Sequence, residues 1–183
     1  MLYQQFKMRA EGVSAEVYRY ATGDAALSGL IEFLQREGLA DKPCASALWA
    51  DCSFLAGFDR NALKMIAGLK FEVTRELASE ARFGISQMEW ALADTGSLVQ
   101  NSTAIAQRLV SSLPTIHIAL LPTSNILPDM PALLSRINPK ESAYIAMITG
   151  PSRTADIERV LTIGVHGPER LVIFCVDGLG GTN

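Results

Sequence analysis

Residues 116–121 read Ile-His-Ile-Ala-Leu-Leu, an apolar run interrupted by one histidine. Two more apolar runs occupy residues 143–149 and 171–176. None of the three alternates between apolar and polar residues, as a strand with one solvent-facing side does, and continuous runs are typical of strands covered on both faces. The three runs therefore favour a parallel β-sheet at the centre of the fold.

The segment between the last two runs carries Ile157, Val160 and Leu161 at helical spacing. A strand, a helix and a second strand in this order predict a β-α-β unit with a right-handed crossover. The predicted fold class is α/β, a three-layer arrangement with a mostly parallel sheet flanked by helices.

The first half of the chain adds shorter elements. Apolar spacing and capping residues predict a helix over residues 22–38 and a second helix that begins after Asp59. Short strands are expected at residues 46–50 and 71–74, and a third helix at residues 75–82. These helices should cover the faces of the sheet.

Composition limits the size of the protein and its partners. With 183 residues, of which 49% are hydrophobic, the chain can build one sizeable core, so residues 1–183 are predicted to form a single domain. The net charge of −3 and the dispersed 16 Lys and Arg residues argue against a nucleic-acid partner. The chain shows no signal-peptide pattern and no apolar run of the roughly 20 residues that cross a bilayer. We therefore expect a cytoplasmic protein without membrane insertion.

The three cysteines, Cys44, Cys52 and Cys175, lack the paired short spacings of a zinc or iron–sulfur site. Cys175 lies inside an apolar run, where a cysteine usually behaves as a small buried hydrophobic residue. The sequence therefore predicts no metal in this chain.

The turn at residues 150–156 follows one of the apolar runs and contains residues suited to an anion. Gly150 allows a sharp turn, Ser152 or Thr154 can cap the predicted helix, and Arg153 offers a planar set of donors for a carboxylate or phosphate. Asp156 falls in the first helical turn, where the helix dipole favours negative charge. The alternative is that the segment is only a well-capped helix start, with Arg153 paired to a nearby acid.

Histidine occurs at two positions, His117 and His166. His117 lies within a predicted central strand and is interpreted as a core histidine with satisfied hydrogen bonds. His166 follows the predicted end of the helix, where it could be a structural cation or could serve as an acid, a base or a ligand donor. Because that helix separates His166 from the 150–156 turn, the two are expected to lie apart.

A second turn is predicted at Asp94-Thr95-Gly96-Ser97, between two short strands. Gly96 supplies the positive φ that tight turns commonly need, and the flanking polar side chains can satisfy the bent backbone. The same four residues imitate an aspartic-protease loop, but that chemistry needs a second carboxylate of the same kind, which the sequence lacks. The turn is instead expected to neighbour the 150–156 segment.

Together these motifs form an ordered series: Phe-Gly-Ile at residues 83–85, Ala-Leu-Ala-Asp-Thr-Gly-Ser-Leu-Val at 91–99, Leu-Pro at 113–114 with His117, Ile-Thr-Gly-Pro-Ser-Arg-Thr-Ala-Asp-Ile-Glu at 148–158 and Gly-Val-His-Gly-Pro at 164–168. The series resembles the LUD-domain family, the LutC/YkgG-type lactate utilisation proteins. Asp94 and Ser97 stand where that family often has Glu and Thr. The resemblance implies a NagB/RpiA/CoA-transferase-like fold and a role beside iron–sulfur subunits that oxidise L-lactate to pyruvate.

The leading hypothesis is an accessory subunit of an iron–sulfur lactate-oxidising system that binds a small anion or a partner at the 150–156 turn. No cofactor is expected in this chain, and the iron–sulfur clusters are expected in partner subunits. The alternatives are a stand-alone enzyme for a phosphorylated or CoA-linked metabolite and a non-catalytic interaction module. The candidate catalytic residues are Asp94, Asp156 and His166, and the candidate ligand-binding residues are Thr95, Gly96, Ser97, Gly150, Ser152, Arg153 and Thr154.

Overall fold

The structure, a computed structural model, describes residues 1–138, 140, 142–155 and 161–179. The helices are α1 (Leu2–Gly12), α2 (Gly23–Arg36), α3 (Arg60–Lys64), α4 (Arg75–Glu80), α5 (Ile105–Ser112) and α6 (Met130–Leu134), with short 3₁₀ turns at Ser53–Gly57 and Thr123–Asn125. The strands are β1 (Ala15–Tyr20), β2 (Ala47–Trp49), β3 (Leu69–Lys70), β4 (Phe83–Gln87), β5 (Trp90–Leu92), β6 (Ser97–Asn101), β7 (Ile116–Pro122), β8 (Ile126–Leu127), β9 (Ile145–Ile148), β10 (Arg153–Ala155), β11 (Leu161–Ile163) and β12 (Arg170–Val176). None of the helices in these ranges is long and apolar enough to span a membrane.

Six parallel strands form the central sheet, in the order β1-β12-β7-β4-β2-β3. Strand β7 is buried along its whole length and β12 along all but its first residue. The predictions from residues 116–121 and 171–176 are therefore confirmed, as is the α/β class with its mostly parallel, helix-flanked sheet.

Helices cover both faces of this sheet. On one face, α2 and α3 pack with side chains such as Leu30, Leu63 and Phe174 in one large core cluster. On the other face lie α1, α4 and α5, with Phe6 of α1 and Val110 of α5 buried against the sheet. Helix α2 begins where the sequence predicts, because the Thr22 side chain accepts a hydrogen bond from the Ala25 amide.

A second sheet, in the order β8-β5-β6-β9, packs beside α1. Its β5–β6 hairpin confirms the predicted strand-turn-strand around Gly96. The placement of residues 143–149 in the parallel sheet is wrong, because β9 pairs antiparallel with β6 at the edge of this smaller sheet. One face of β9 is solvent-exposed, as the 48% exposure of Met147 shows. A short apolar run does not distinguish a central strand from an edge strand.

The predicted helix after Gly150 is also wrong where the structure describes it. Residues 153–155 and 161–163 form the antiparallel hairpin β10–β11, with Arg153 opposite Ile163 and Thr154 opposite Thr162. β-Branched residues at these positions suit a strand better than a helix. Asp156, Ile157 and Val160 lie outside the described residues. The predicted β-α-β unit is therefore wrong, because β9 is not in the parallel sheet and residues 153–155 and 161–163 form strands.

The strand predicted at residues 71–74 is displaced to β3, two residues earlier in the chain. Thr74 is the reason, since its side chain caps α4 by accepting a hydrogen bond from the Leu77 amide. The residues just before α4 therefore cap the helix and do not pair with the sheet.

Candidate functional site

A cavity of about 250 Å³ lies at the amino-terminal ends of β7 and β12, where the smaller sheet meets the central one. Four segments supply its polar lining: the end of α5, His117 of β7, the residues after β9 and the loop before β12. We call it the two-histidine cavity. Its lining residues are Ser111, Ser112, His117, Met147, Ile148, Thr149, Gly150, Pro151, Ser152, His166, Gly167, Pro168 and Leu171.

Backbone hydrogen bonds hold the two loops of the cavity together. The Ser152 amide donates to the Pro168 carbonyl at 2.8 Å, and the Gly164 amide donates to the Ser152 carbonyl at 3.0 Å. His166 therefore lies in the loop that contacts Ser152, and the prediction that it lies apart from the 150–156 turn is wrong. Because β10 and β11 are antiparallel, the chain returns after β11 to the neighbourhood of Ser152. A helix would have moved the chain away from Ser152.

Gly150 fixes the position of the first loop. Its φ is +69°, and a Cβ atom there would lie 2.3 Å from the carbonyl oxygen of Val13. A side chain is excluded both by the left-handed backbone and by the approach to the α1–β1 connection. Gly150 thus places the loop against the body of the domain.

His117 is the most deeply buried polar group of the cavity, with 1% of its surface exposed. Its Nε2 shares a hydrogen bond of 2.8 Å with Ser86 Oγ, while its Nδ1 has no partner within the described part of the chain. Burial lowers the pKa of the imidazole to about 4, so the ring is neutral at physiological pH. The predicted core position is confirmed, but the predicted satisfaction of its hydrogen bonds is wrong, since Nδ1 has no partner within the described part of the chain.

The turn at residues 94–97 contacts Thr149, which lines the cavity. Ser97 Oγ lies 2.7 Å from Thr149 Oγ1 and donates a hydrogen bond of 2.8 Å to Thr95 Oγ1. Gly96 has a φ of +72° and packs against the backbone of α1, where a Cβ atom would lie 2.4 Å from the Ala10 amide nitrogen. Among the predicted residues of this turn, Ser97 reaches the cavity through Thr149, and Asp94 is exposed and outside the lining.

Hydroxyl groups and two histidine rings are the polar side chains of the described lining. Ser112 Oγ donates to the Arg108 carbonyl at 2.5 Å, so its lone pairs can accept from a ligand. Ser152 Oγ and the His166 ring make no side-chain hydrogen bond to any residue in the described ranges. The described lining contains no carboxylate that would repel an anion. These groups can donate hydrogen bonds to a small polar ligand and accept hydrogen bonds from it.

Arg153 and Thr154 lie on β10. Arg153 is exposed, and neither residue belongs to the described lining. Of the predicted ligand-binding residues, the structure therefore brings Gly150 and Ser152 to the cavity, together with His166 from the catalytic candidates. Asp156 lies outside the described residues.

Sequence reasoning missed two contributors, Ser112 and the free Nδ1 of His117. Ser112 ends a helix that is remote in sequence from the other lining segments, so no local motif indicates it. A histidine that interrupts an apolar strand was a usable signal, but its hydrogen bonding depends on Ser86 in the neighbouring strand β4.

No group of three or more His, Cys, Asp or Glu side chains within the described ranges could hold a metal ion. The cysteines are free, and burial raises the pKa of Cys175 to about 12, which keeps its thiol protonated. The thiol of Cys175 is therefore a packing group rather than a nucleophile.

Comparison with known proteins identifies the family of this chain. A family model described as the LUD domain matches residues 3–176. The chain belongs to the LUD-domain family. This membership confirms the resemblance that the ordered motifs indicate.

Among its LUD-domain relatives are proteins named lactate utilization protein C. That of an Exiguobacterium species is 38% identical over 114 residues, which cover 59% of this chain and 50% of the relative. The Bacillus subtilis protein is also 38% identical over 114 residues, covering 59% and 48% of the two chains. The protein YkgG of Escherichia coli is 35% identical over 106 residues, covering 55% and 46%. The chain thus spans about half the length of the curated relatives it matches.

A crystal structure of a DUF162 family protein from Deinococcus radiodurans has a similar fold. Its TM-score is 0.66 at 17% sequence identity, and the match covers 96% of both chains. At this identity the likeness establishes the shared architecture alone.

Proposed function

We propose that this LUD-domain chain is an accessory subunit of an L-lactate utilisation system and that its two-histidine cavity binds a small carboxylate, L-lactate or pyruvate. The observation that carries the site is the buried Nδ1 of His117, which lacks a partner beside a cavity lined by hydroxyls. The names of the relatives support the choice of pathway. In this proposal, partner subunits hold the iron–sulfur clusters that accept the electrons.

The hydrogen-bonding roles follow from the geometry around His117. When Ser86 donates to Nε2, the neutral ring carries its proton on Nδ1 and can donate to a carboxylate oxygen. Ser152 Oγ supplies a second donor, and Ser112 Oγ can accept from the hydroxyl of lactate. Ligand binding would thereby satisfy a buried nitrogen that is costly to leave unpaired.

The size and charge of the cavity favour this class over the alternative ligands. A volume of about 250 Å³ accommodates a three-carbon acid but falls below the range of roughly 300–1,000 Å³ typical of drug-sized ligands. The described lining also lacks the Lys and Arg side chains that phosphate ligands commonly engage. We therefore do not favour the alternative of a stand-alone enzyme for a phosphorylated or CoA-linked metabolite.

Calorimetric titration with L-lactate and pyruvate tests the site. We expect saturable binding, weakened about fivefold by Ser152→Ala or His166→Ala, because a lost hydrogen bond contributes about 1 kcal/mol. Arg153→Ala is the matched control, since that exposed side chain lies outside the lining, and it should bind within about twofold of the wild type.

The opposite pattern would contradict this location. If Arg153→Ala abolished binding while Ser152→Ala and His166→Ala left it unchanged, the ligand would occupy the hairpin surface instead of the cavity.

Capture of the tagged chain from its native host tests the system. We expect cysteine-rich iron–sulfur proteins to co-purify, and we expect a deletion strain to grow poorly on L-lactate but normally on pyruvate. Recovery of the chain alone, together with normal growth of the deletion strain on L-lactate, would contradict the assignment.

A further inference from the structure

Ser86 is a buried polar residue that lies behind the two-histidine cavity. None of its surface is exposed, and it does not belong to the described lining of the cavity. In the register of β4 and β7, Gly84 pairs with His117, and Ser86 follows two residues later on the same face of the sheet. Ser86 therefore contacts the His117 ring from within the core, at Nε2.

Two arrangements of protons are compatible with the 2.8 Å hydrogen bond between Ser86 Oγ and His117 Nε2 when the ring is neutral. In the first, the hydroxyl donates to Nε2 and the ring proton is on Nδ1. In the second, the ring proton is on Nε2 and the hydroxyl accepts it. The doubly protonated ring is excluded at neutral pH, because burial lowers the pKa of His117 to about 4.

The number of unpaired groups favours the first arrangement. There the Nδ1–H is the unpaired group of the two residues within the described part of the chain. In the second arrangement Nδ1 is still unpaired, and the Ser86 hydroxyl proton is unpaired as well, because Ser86 Oγ has no other hydrogen-bond partner in the described ranges. Each unpaired polar group in the core costs free energy, so the ring proton belongs on Nδ1.

Packing alone does not explain this pair of residues. Their neighbours on the same face of the sheet are apolar, among them Ala119 and Leu171. A buried polar pair that leaves one donor without a partner is less favourable than apolar residues of similar size. The unpaired Nδ1–H therefore calls for an explanation, and a ligand that accepts its hydrogen bond supplies one.

We propose that Ser86 is a positioning residue that determines specificity: its hydroxyl keeps the His117 proton on Nδ1, so that the cavity selects ligands whose buried end accepts a hydrogen bond. A carboxylate meets this requirement, whereas an ammonium group has donors only and does not. The inference rests on the proposed function for the identity of the carboxylate. The position of the ring proton is a property of the free protein.

Nitrogen-15 NMR of the histidine rings in the free protein tests the position of the proton, because protonated and unprotonated ring nitrogens give distinct signals. We expect the wild-type His117 ring to be protonated at Nδ1. Ser86→Ala removes the donor to Nε2, so the ring should divide between its two neutral forms. Ser86→Thr keeps a hydroxyl and suits a strand, and it should restore the Nδ1-protonated form.

Calorimetric titration tests the effect on ligand selection. Ser86→Ala should weaken L-lactate binding about fivefold, because the binding-competent form of the ring is less populated and one buried nitrogen loses its partner. The matched control is Ser102→Ala, another fully buried serine, whose Oγ donates to Gln100 at 2.7 Å. This control should change neither the affinity nor the ring signals. The amine 1-aminopropan-2-ol, which carries an ammonium group in place of the carboxylate, should not bind the wild-type cavity saturably.

The outcomes separate this role of Ser86 from the proposed function. A wild-type ring protonated at Nε2, or unchanged ring signals in Ser86→Ala, would overturn the role of Ser86 whether or not L-lactate binds. Saturable binding of the amine at His117, or unchanged L-lactate affinity in a Ser86→Ala protein with altered ring signals, would overturn its effect on selection. A wild type that binds neither L-lactate nor pyruvate would contradict the proposed function instead.

Discussion

Gly84→Ala is expected to destabilise the domain by about 3 kcal/mol or more, the upper end of what overpacking a core costs. Gly84 lies in β4 under helix α5, where a Cβ atom would stand 1.9 Å from the Val110 carbonyl oxygen and 2.7 Å from its carbonyl carbon. Both atoms belong to the backbone of α5, so no side-chain rotation can relieve the clash. The helix must move away from the sheet.

The same substitution should damage the two-histidine cavity. Gly84 pairs with His117 in the register of β4 and β7, and α5 ends at Ser112, which lines the cavity. Lifting α5 therefore separates Ser112 from His117. Lactate affinity should fall together with stability.

Urea denaturation measures the stability effect. Gly12→Ala is the matched control, because Gly12 ends α1 and a Cβ atom there meets nothing within 4 Å. It should remain within about 0.5 kcal/mol of the wild type. A Gly84→Ala protein as stable as this control would show that α5 does not pack on β4 as described.

Acid should destabilise the domain through His117. Burial lowers its pKa in the folded state to about 4, whereas an exposed histidine titrates near 6.5. The unfolded chain therefore takes up a proton that the folded ring resists, so the contribution of His117 is intact above pH 6.5 and is lost as pH falls to about 4. The full loss amounts to about 3 kcal/mol.

Chemical denaturation at pH 7 and pH 4.5 measures this loss. The double variant Ser86→Ala/His117→Leu removes the buried ring together with its hydrogen-bond partner, and it should lose clearly less stability over this interval than the wild type. Gly12→Ala is the control, since it changes no titratable group and its Cβ atom meets nothing within 4 Å, and it should follow the wild-type pH profile. If the double variant lost as much stability as the wild type, the acid sensitivity would not arise from His117.

The parts of the fold predicted correctly are those in which local pattern and tertiary environment agree. Residues 116–121 and 171–176 are continuous apolar runs because both faces of their strands are covered, and α2 has a capping threonine at its start. Residues 143–149 look the same in sequence but form an edge strand, since their partner is β6 in the smaller sheet. Nothing in a short apolar run specifies which sheet it joins.

The sequence predicts some residues of the candidate site but not how they come together, because that depends on tertiary contacts. Gly150, Ser152 and His166 stand out as residue types, but their meeting depends on the hairpin β10–β11, where a helix is predicted. That error separated His166 from the turn it contacts. His117 was visible as a lone histidine, but its unpaired Nδ1 depends on contacts between strands that a local pattern does not contain.

Histidine ring NMR during a titration with L-lactate tests the central claim most directly, because the chain has only two histidines. We expect the Nδ1 signal of His117 to move saturably as the nitrogen gains a hydrogen-bond partner, with a smaller change at His166. Ser152→Ala should require a higher lactate concentration for the same change. A His117 signal that stays fixed at saturating L-lactate and pyruvate would contradict carboxylate binding in the two-histidine cavity.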